Sequence, residues 1–291
     1  MSADKEMSIW EHLMELAVRL RRVLVVSVLV FLFTLMPTPR HLSNPLEFLT
    51  GFFVTGNFTT LSYDVFYRYI IEPSIHMAYT NVMLISGDVF TPFNALLYVS
   101  LYFTVLLIAP YLVYEVWAYV RPALYPHEIR AVRKYLVYGV LLFYLGNLYG
   151  LGLISRYFLR FLIDISSVLP GVTPVFSIGS VVDTIIQIAL WSGVFFEAPI
   201  VIAILSELCM LNPWALAGYR PVIYAVSLII IAIFTPDATL VSVFLTFLPF
   251  AVLLEVGLAY SKRIVRKCPD YAYMRPQEVA ARLRQRRRRD N

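Results

Sequence analysis

Six runs of apolar residues, each bounded by charge or proline, govern what this chain can become. A helix crosses the hydrocarbon core with about 20 apolar residues, and about 17–25 is the usual range. The runs fall at roughly 20–36, 93–118, 135–155, 183–208, 221–235 and 239–259. The first stops at Pro37 and Pro39, and Pro110 interrupts the second. Only the turn Thr235-Pro236-Asp237-Ala238 separates the last two. At about 1.5 Å of rise per residue the fifth run reaches only about 22 Å, so this pair calls for a locally thinned bilayer or snorkelling flanks. The remaining composition agrees: 59% of residues are hydrophobic and only 15% are charged, with a mean hydropathy of +0.72. A soluble domain carries about 25% charged residues. Too few charges remain to cover a water-facing globule, which excludes an ordinary soluble enzyme and a disordered chain.

Orientation follows from Lys and Arg, which concentrate on the cytoplasmic side of membrane proteins. With six spans, both termini and the second and fourth loops share a side. That side holds 20 of the 24 basic residues, and the other holds Arg40, Arg68, Arg156 and Arg160. Both termini are therefore expected in the cytoplasm. No amino-terminal signal peptide is expected, because Asp4, Glu6, Glu11 and Glu15 precede the first run, the wrong flank for one. The long outer loop of residues 37–92 contains amphipathic stretches and is expected to fold as an extracytoplasmic cap; Asn57-Phe58-Thr59 within it is a formal glycosylation sequon. The basic tail, residues 260–291, reads as a solvated segment suited to anionic membrane lipid. The fold expectation is an all-α integral membrane protein: a cytoplasmic amphipathic segment over 1–19, a six-span domain over 20–259, and the tail.

Acids within spanning helices cost about 2.5–3.5 kcal/mol on insertion scales and are functional candidates by default. Glu197 is the clearest, mid-way along the fourth run. Pro199 follows it and cannot donate to the carbonyl of Phe195, which frees an acceptor close to the carboxylate. Its alternative is a neutral Glu hydrogen-bonded within the bundle. Asp237, in the outer turn, also suits a helix N-cap. Glu115, Glu207 and Glu255 lie towards the cytoplasmic ends of their runs, where interfacial water would explain them equally well. Written as a helix, the segment before the first run puts Leu13, Leu16 and Leu20 on one face and His12, Glu15, Arg19 and Arg22 on the other. Glu15 can pair with Arg19 at i+4, a contact of about 0.2–0.5 kcal/mol. In the second loop, Pro122 ends one helix and Pro126 opens the next, with Glu128 in its first turn complementing the helix dipole. The two cysteines, Cys209 and Cys268, sit in no CxxC or metal-ligand spacing, and the four histidines are scattered, so no metal or other cofactor is expected.

Taken in order, these residues resemble a known family. Trp10-Glu11-His12-Leu13-Met14-Glu15-Leu16-Ala17-Val18-Arg19-Leu20 is similar to the HLxELRxRL opening of TatC, the multi-spanning subunit of the twin-arginine protein translocase. Phe103, Ala109-Pro110, Tyr114, Trp117 and the loop Pro122-Ala123-Leu124-Tyr125 to Glu128 match that family's most specific stretch. Phe143 and Gly146, Phe196-Glu197 with Pro199, Arg220-Pro221, and Thr235-Pro236-Asp237 follow in the family's order, so the resemblance covers roughly 8–262. Ala17 stands where the family usually carries Arg, Tyr119 replaces a frequent Phe, and the outer turn has lost one Pro.

The resemblance implies a receptor for folded cargo whose signal peptide carries two adjacent arginines. The implied cytoplasmic binding site pairs Glu15 and Glu128, with His12, Leu16, Arg19, Tyr119, Pro122 and Tyr125 around them. Two guanidinium groups suit carboxylates in bidentate geometry, which lysine meets less well. Glu197, with Pro199 and Asp237, would contact single-span partner subunits of the TatA or TatB type on the concave side of the bundle. The family's transport runs on the proton-motive force in the cell membrane, in a complex holding several copies, with no enzymatic step and no nucleic acid. The chain has no P-loop motif, in agreement. A proton-coupled small-molecule transporter is the main rival, but it calls for internal repeats and several midplane acids. A membrane-embedded enzyme finds no HExxH or GxSxG to support it.

Overall fold

The computed structural model describes residues 9–35, 63–64, 67–73, 83–168, 175–234 and 240–264. Residues 1–8, Asn57, Asp237 and the tail from 265 lie outside the described residues, and with them the expectations placed there.

Helix α1, Ile9–Leu35, carries the amphipathic segment and the first apolar run without a break. No glycine or proline interrupts this stretch, so nothing in it stops the backbone ladder. Helix α2, Thr91–Val120, absorbs Pro110 and closes in a 3₁₀ turn at Arg121–Ala123, where Pro122 forbids continuation. Helix α3, Pro126–Tyr149, passes through a π-helical turn at Gly150–Ile154 into α4, Ser155–Ser167. The third run is thus longer than the expected 135–155: its apolar helix extends over Glu128–Ser166, 39 residues. At about 1.5 Å per residue that is about 58 Å, nearly twice a hydrocarbon core of about 30 Å. Helix α4 carries Arg156, Arg160 and Asp164, which makes it the part of this stretch suited to the polar side of the core.

The fourth run is two helices, α5 at Ile178–Phe196 and α6 at Ala198–Glu207. The break falls at Glu197, two residues before Pro199, where a helical hydrogen bond has no donor. A short α7, Pro213–Gly218, is capped by Asn212, whose side-chain oxygen accepts from the backbone N–H of Trp214 at 2.9 Å. Helices α8, Arg220–Phe234, and α9, Leu240–Ile264, complete the described chain. Among the described residues, four helical stretches are long and apolar enough to cross a membrane: Thr91–Ala123, Glu128–Ser166, Ile178–Glu207 and Val243–Ile264. Arg220–Ile233 is apolar but shorter, as the sequence required.

The all-α expectation needs one amendment. β1, Met83–Ile85, pairs in parallel with β2, Val175–Ser177, as Met83 to Val175, Leu84 to Phe176 and Ile85 to Ser177. Both segments lead into helices that pack together, α2 and α5, so their backbones run side by side and satisfy each other.

Ile70 and Ile71, in a π-helical turn at Tyr67–Ile71, are buried with Val99 and Tyr102 of α2, Val182 and Ile185 of α5, and Leu159 of α4. This described part of the long loop therefore packs on the bundle, and Arg156 ties it by donating to the Tyr69 carbonyl at 2.5 Å. A second core gathers Ile202 of α6 with Phe250, Leu254 and Leu258 of α9. Leu29, Phe33, Leu107, Leu145, Leu148, Ile233 and Val252 instead point outward and are exposed. A chain that leaves such residues on its outer face has an apolar solvent there.

Helix α3 lies against α5 along a seam of small residues. A Cβ on Gly146 would sit 2.8 Å from the Gly193 Cα, the Phe196 ring and the Ser192 carbonyl, and one on Gly150 would sit 2.8 Å from the Ser192 Cβ. Helix α1 is held on α2 by the buried hydroxyls of Thr34 and Ser100, which hydrogen-bond across the interface.

Candidate functional site

The charged end of α1 lies against the end of α2. Glu15 and Arg19, one turn apart on α1, form the expected pair: the Arg19 Nε and Nη2 both donate to Glu15 Oε1, at 3.0 and 2.7 Å. The remaining arm, Nη1, donates to Glu115 Oε2 on α2 at 3.0 Å. The other Glu115 oxygen accepts from the Tyr111 hydroxyl at 2.8 Å. Bonding to Glu15, and then to Glu115, raises the Arg19 pKa above its ordinary value against the lowering effect of burial, so the guanidinium is charged. Seven residues before Arg19, His12 lays its ring on Tyr119, centroid to centroid 5.4 Å. The His12 Nδ1 is buried and has no hydrogen-bond partner among the described residues. A cavity of about 290 Å³ opens beside the pair, lined by Met14, Glu15, Val18, Arg19 and Arg22. Leu16 is exposed nearby.

The structure thus brings together four of the anticipated residues, His12, Glu15, Arg19 and Tyr119. Glu128 is differently placed. Its carboxylate accepts the backbone N–H of Tyr125 at 2.8 Å, capping α3. Pro122 and the Tyr125 ring are exposed on the same loop.

Glu115 corrects the reading from sequence. Its place near a helix end fits interfacial water as well as it fits chemistry; in the structure it is 5% exposed and engaged on both oxygens. Glu207 and Glu255 are also engaged by neighbouring helices, but both are less buried and keep access to interfacial water, Glu255 with 41% of its side chain exposed. Glu207 on α6 accepts from the Tyr135 hydroxyl at 2.7 Å and from Lys134 at 3.4 Å, both on α3. Glu255 on α9 accepts from the Tyr224 hydroxyl at 2.6 Å and from Arg220 at 2.7 Å, both on α8. Each acid is therefore held by one cation and one tyrosine, and each clamp joins two helices. Sequence could have offered Tyr111 and Glu115 as an i, i+4 couple, but nothing in it names Arg19 as their partner.

Glu197 sits at the α5–α6 break. Its backbone carbonyl accepts from the N–H groups of Ile200 and Val201, at 3.0 and 3.1 Å, so the residue ends one helix and starts the next. Its carboxylate rests over Gly139 of α3, where a Cβ would approach Oε2 to 3.2 Å. Pro199 is buried against Gly257 of α9: a Cβ at that glycine would meet the Pro199 Cα at 2.8 Å. Asp237, the third member of this group, lies outside the described residues. No cluster of metal-ligating side chains occurs among the described residues.

Comparison with known proteins supplies the remaining context. Residues 11–249 match the family model for the Sec-independent protein translocase protein TatC. TatC of Aquifex aeolicus is 29% identical over 198 residues, 68% of this chain and 82% of that protein. TatC of Haemophilus influenzae is 26% identical over 261 residues, covering 90% of this chain and 91% of its own. TatC of Escherichia coli K12 is 28% identical over 201 residues, 69% of this chain and 77% of that one. A crystal structure of the twin-arginine translocase receptor TatC superposes with a TM-score of 0.65 at 26% identity, over 88% of this chain and all of that chain.

Proposed function

The chain belongs to the TatC family of Sec-independent protein translocase proteins, and from that premise we propose that it is the receptor that reads twin-arginine signal peptides. It is a component of a twin-arginine protein translocase and a multi-pass membrane protein. The observation that carries the receptor reading is the cluster at the ends of α1 and α2. There a carboxylate, Glu15, already grips a guanidinium side-on beside an open cavity. A signal-peptide arginine finds the same geometry, with charge-assisted hydrogen bonds of about 1.5–3 kcal/mol each. Glu128 supplies a second acid from the α2–α3 loop, with Pro122 and Tyr125 flanking it, and His12, Leu16 and Tyr119 form the apolar wall.

In this reading six helices cross the cell membrane, both termini are cytoplasmic, and the outer loop caps a concave bundle. The weight of Lys and Arg at one set of helix ends supports that orientation. Glu197, at the helix break that Pro199 sets, is the contact for single-span TatA- or TatB-type subunits, with Asp237 as the further acid the family resemblance implies, and several copies assemble when cargo is moved by the proton-motive force. The chain binds and positions; it does no bond chemistry.

The test is capture of inserted protein by a signal peptide carrying Arg-Arg against one carrying Lys-Lys. Preferential capture by Arg-Arg is expected, lost in Glu15→Ala and in Glu128→Ala. Equal capture of the two peptides refutes the receptor role. Glu197→Ala is expected to keep peptide capture and to lose partner assembly on energisation; unchanged assembly removes Glu197 from the partner surface.

A further inference from the structure

Glu15 is not an empty acceptor. Arg19 spends two of its three nitrogens on one Glu15 oxygen and its third on Glu115. A guanidinium approaching Glu15 from the cavity meets a carboxylate that already holds one. Arg19 is tethered one helical turn away, so it competes at a high effective concentration. Its second anchor is the buried Glu115, fixed in turn by Tyr111, and this anchor does not depend on Glu15.

Resting on the receptor reading, we propose that Arg19 is a resident stand-in for the signal arginine, and that Glu115 is the specificity-determining parking site that receives it when the signal displaces it from Glu15. Glu15, Glu115 and Arg19 together carry one net negative charge, and Arg22 on the wall of the same cavity brings the count to zero. Entry of the signal arginine is therefore an exchange of one guanidinium for another on Glu15 rather than capture by net charge. On displacement Arg19 keeps its Nη1 bond to Glu115, and neither Arg19 nor the buried Glu115 is left unpaired. A buried acid stripped of its partner is the costly outcome, and Glu115 prevents it on the Arg19 side. A lysine ligand gains less from the exchange. Its ammonium is a compact point charge and does not reproduce the side-on contact that Arg19 gives up. The resident arginine therefore sets a threshold that a planar, bidentate group crosses and a point charge does not.

The wall of the cavity fits this role. Arg22 lines it together with Glu15 and Arg19, and a second cavity of about 340 Å³ lined by Val18, Arg21, Arg22, Val25, Val26 and Tyr111 adjoins it. The two cavities share Val18 and Arg22, and the second is lined by Tyr111, whose hydroxyl donates to Glu115.

The experiment measures binding of Arg-Arg and Lys-Lys signal peptides to full-length protein in lipid nanodiscs. In the double variant Arg19→Gln/Glu115→Gln the stand-in is gone and no buried acid is left unpaired. This variant is expected to bind the Lys-Lys peptide about tenfold more tightly than wild type, so that discrimination between the peptides narrows. Arg19→Lys keeps the charge and the neutralisation of Glu115 but loses the side-on contact, and it is expected to gain about two- to threefold. It also serves as the readout should the double variant fail to insert. Lys-Lys binding that stays at the wild-type level or weakens in these variants, while wild type still prefers Arg-Arg, overturns the stand-in role and leaves the receptor reading intact. A wild-type protein indifferent to Arg-Arg and Lys-Lys overturns both.

Discussion

The α3–α5 seam offers a prediction whose size follows from the coordinates. In Gly146→Ala the new Cβ lies 2.8 Å from the Gly193 Cα, the Phe196 ring and the Ser192 carbonyl. Carbon atoms rest about 3.5–4.0 Å apart, so the two helices must separate locally by about 0.7–1.2 Å. A gap of that size forfeits about a quarter to a half of each contact. With about 40 atom pairs of about 0.15 kcal/mol each along the seam, the loss is about 1.5–3 kcal/mol. That agrees with the about 1–3 kcal/mol typical of overpacking. The two backbone contacts cannot relax by turning a side chain. Gly152→Ala is the internal control: nothing lies within 4 Å of its Cβ position, so no penalty is expected. Unfolding of both variants in mixed micelles, titrated with denaturing detergent, measures the difference. Gly146→Ala should shift the folded-to-unfolded ratio by at least about tenfold relative to Gly152→Ala. Equal stability of the two variants would refute the claim that glycine at 146 sets how closely the helices approach.

Other consequences can be checked separately. Glu128→Ala removes the acceptor for the Tyr125 N–H and should cost about 0.5–1.5 kcal/mol, whereas Glu128→Gln keeps an acceptor; loss of peptide capture in both variants, with stability lost only in the first, would separate cap from receptor. Thr34→Val or Ser100→Ala alone should destabilise the α1–α2 interface, and the double variant should cost less than the two together, with a coupling of about 0.6–2 kcal/mol in a double-mutant cycle. Gly139→Leu places bulk where the Glu197 carboxylate rests and should reproduce the assembly defect of Glu197→Ala in a crosslinking assay. Normal assembly in Gly139→Leu would show that the position of that carboxylate does not matter.

Much of the architecture is local in origin and therefore readable from sequence. Apolar runs long enough to span a bilayer mark α2, α3, α5 with α6, and α9, because length and hydropathy are properties of the segment itself. Pro122 and Pro126 bracket the α2–α3 loop, and Pro199 breaks the fourth run beside Glu197, because a missing N–H acts within one turn. The Glu15–Arg19 pair is local too, being one helical turn long. What only the tertiary structure decided are the meetings between distant segments. Glu115 finds Arg19 96 residues away, Glu207 finds Tyr135, and Glu255 finds Tyr224. Residues 83–85 find 175–177, and Gly146 finds Gly193. A helix end exposes the same acid to water or to a neighbour's arginine with no change in its own sequence. The choice rests on which helix packs beside it, and that is set by the fit of whole surfaces rather than by any one run of residues.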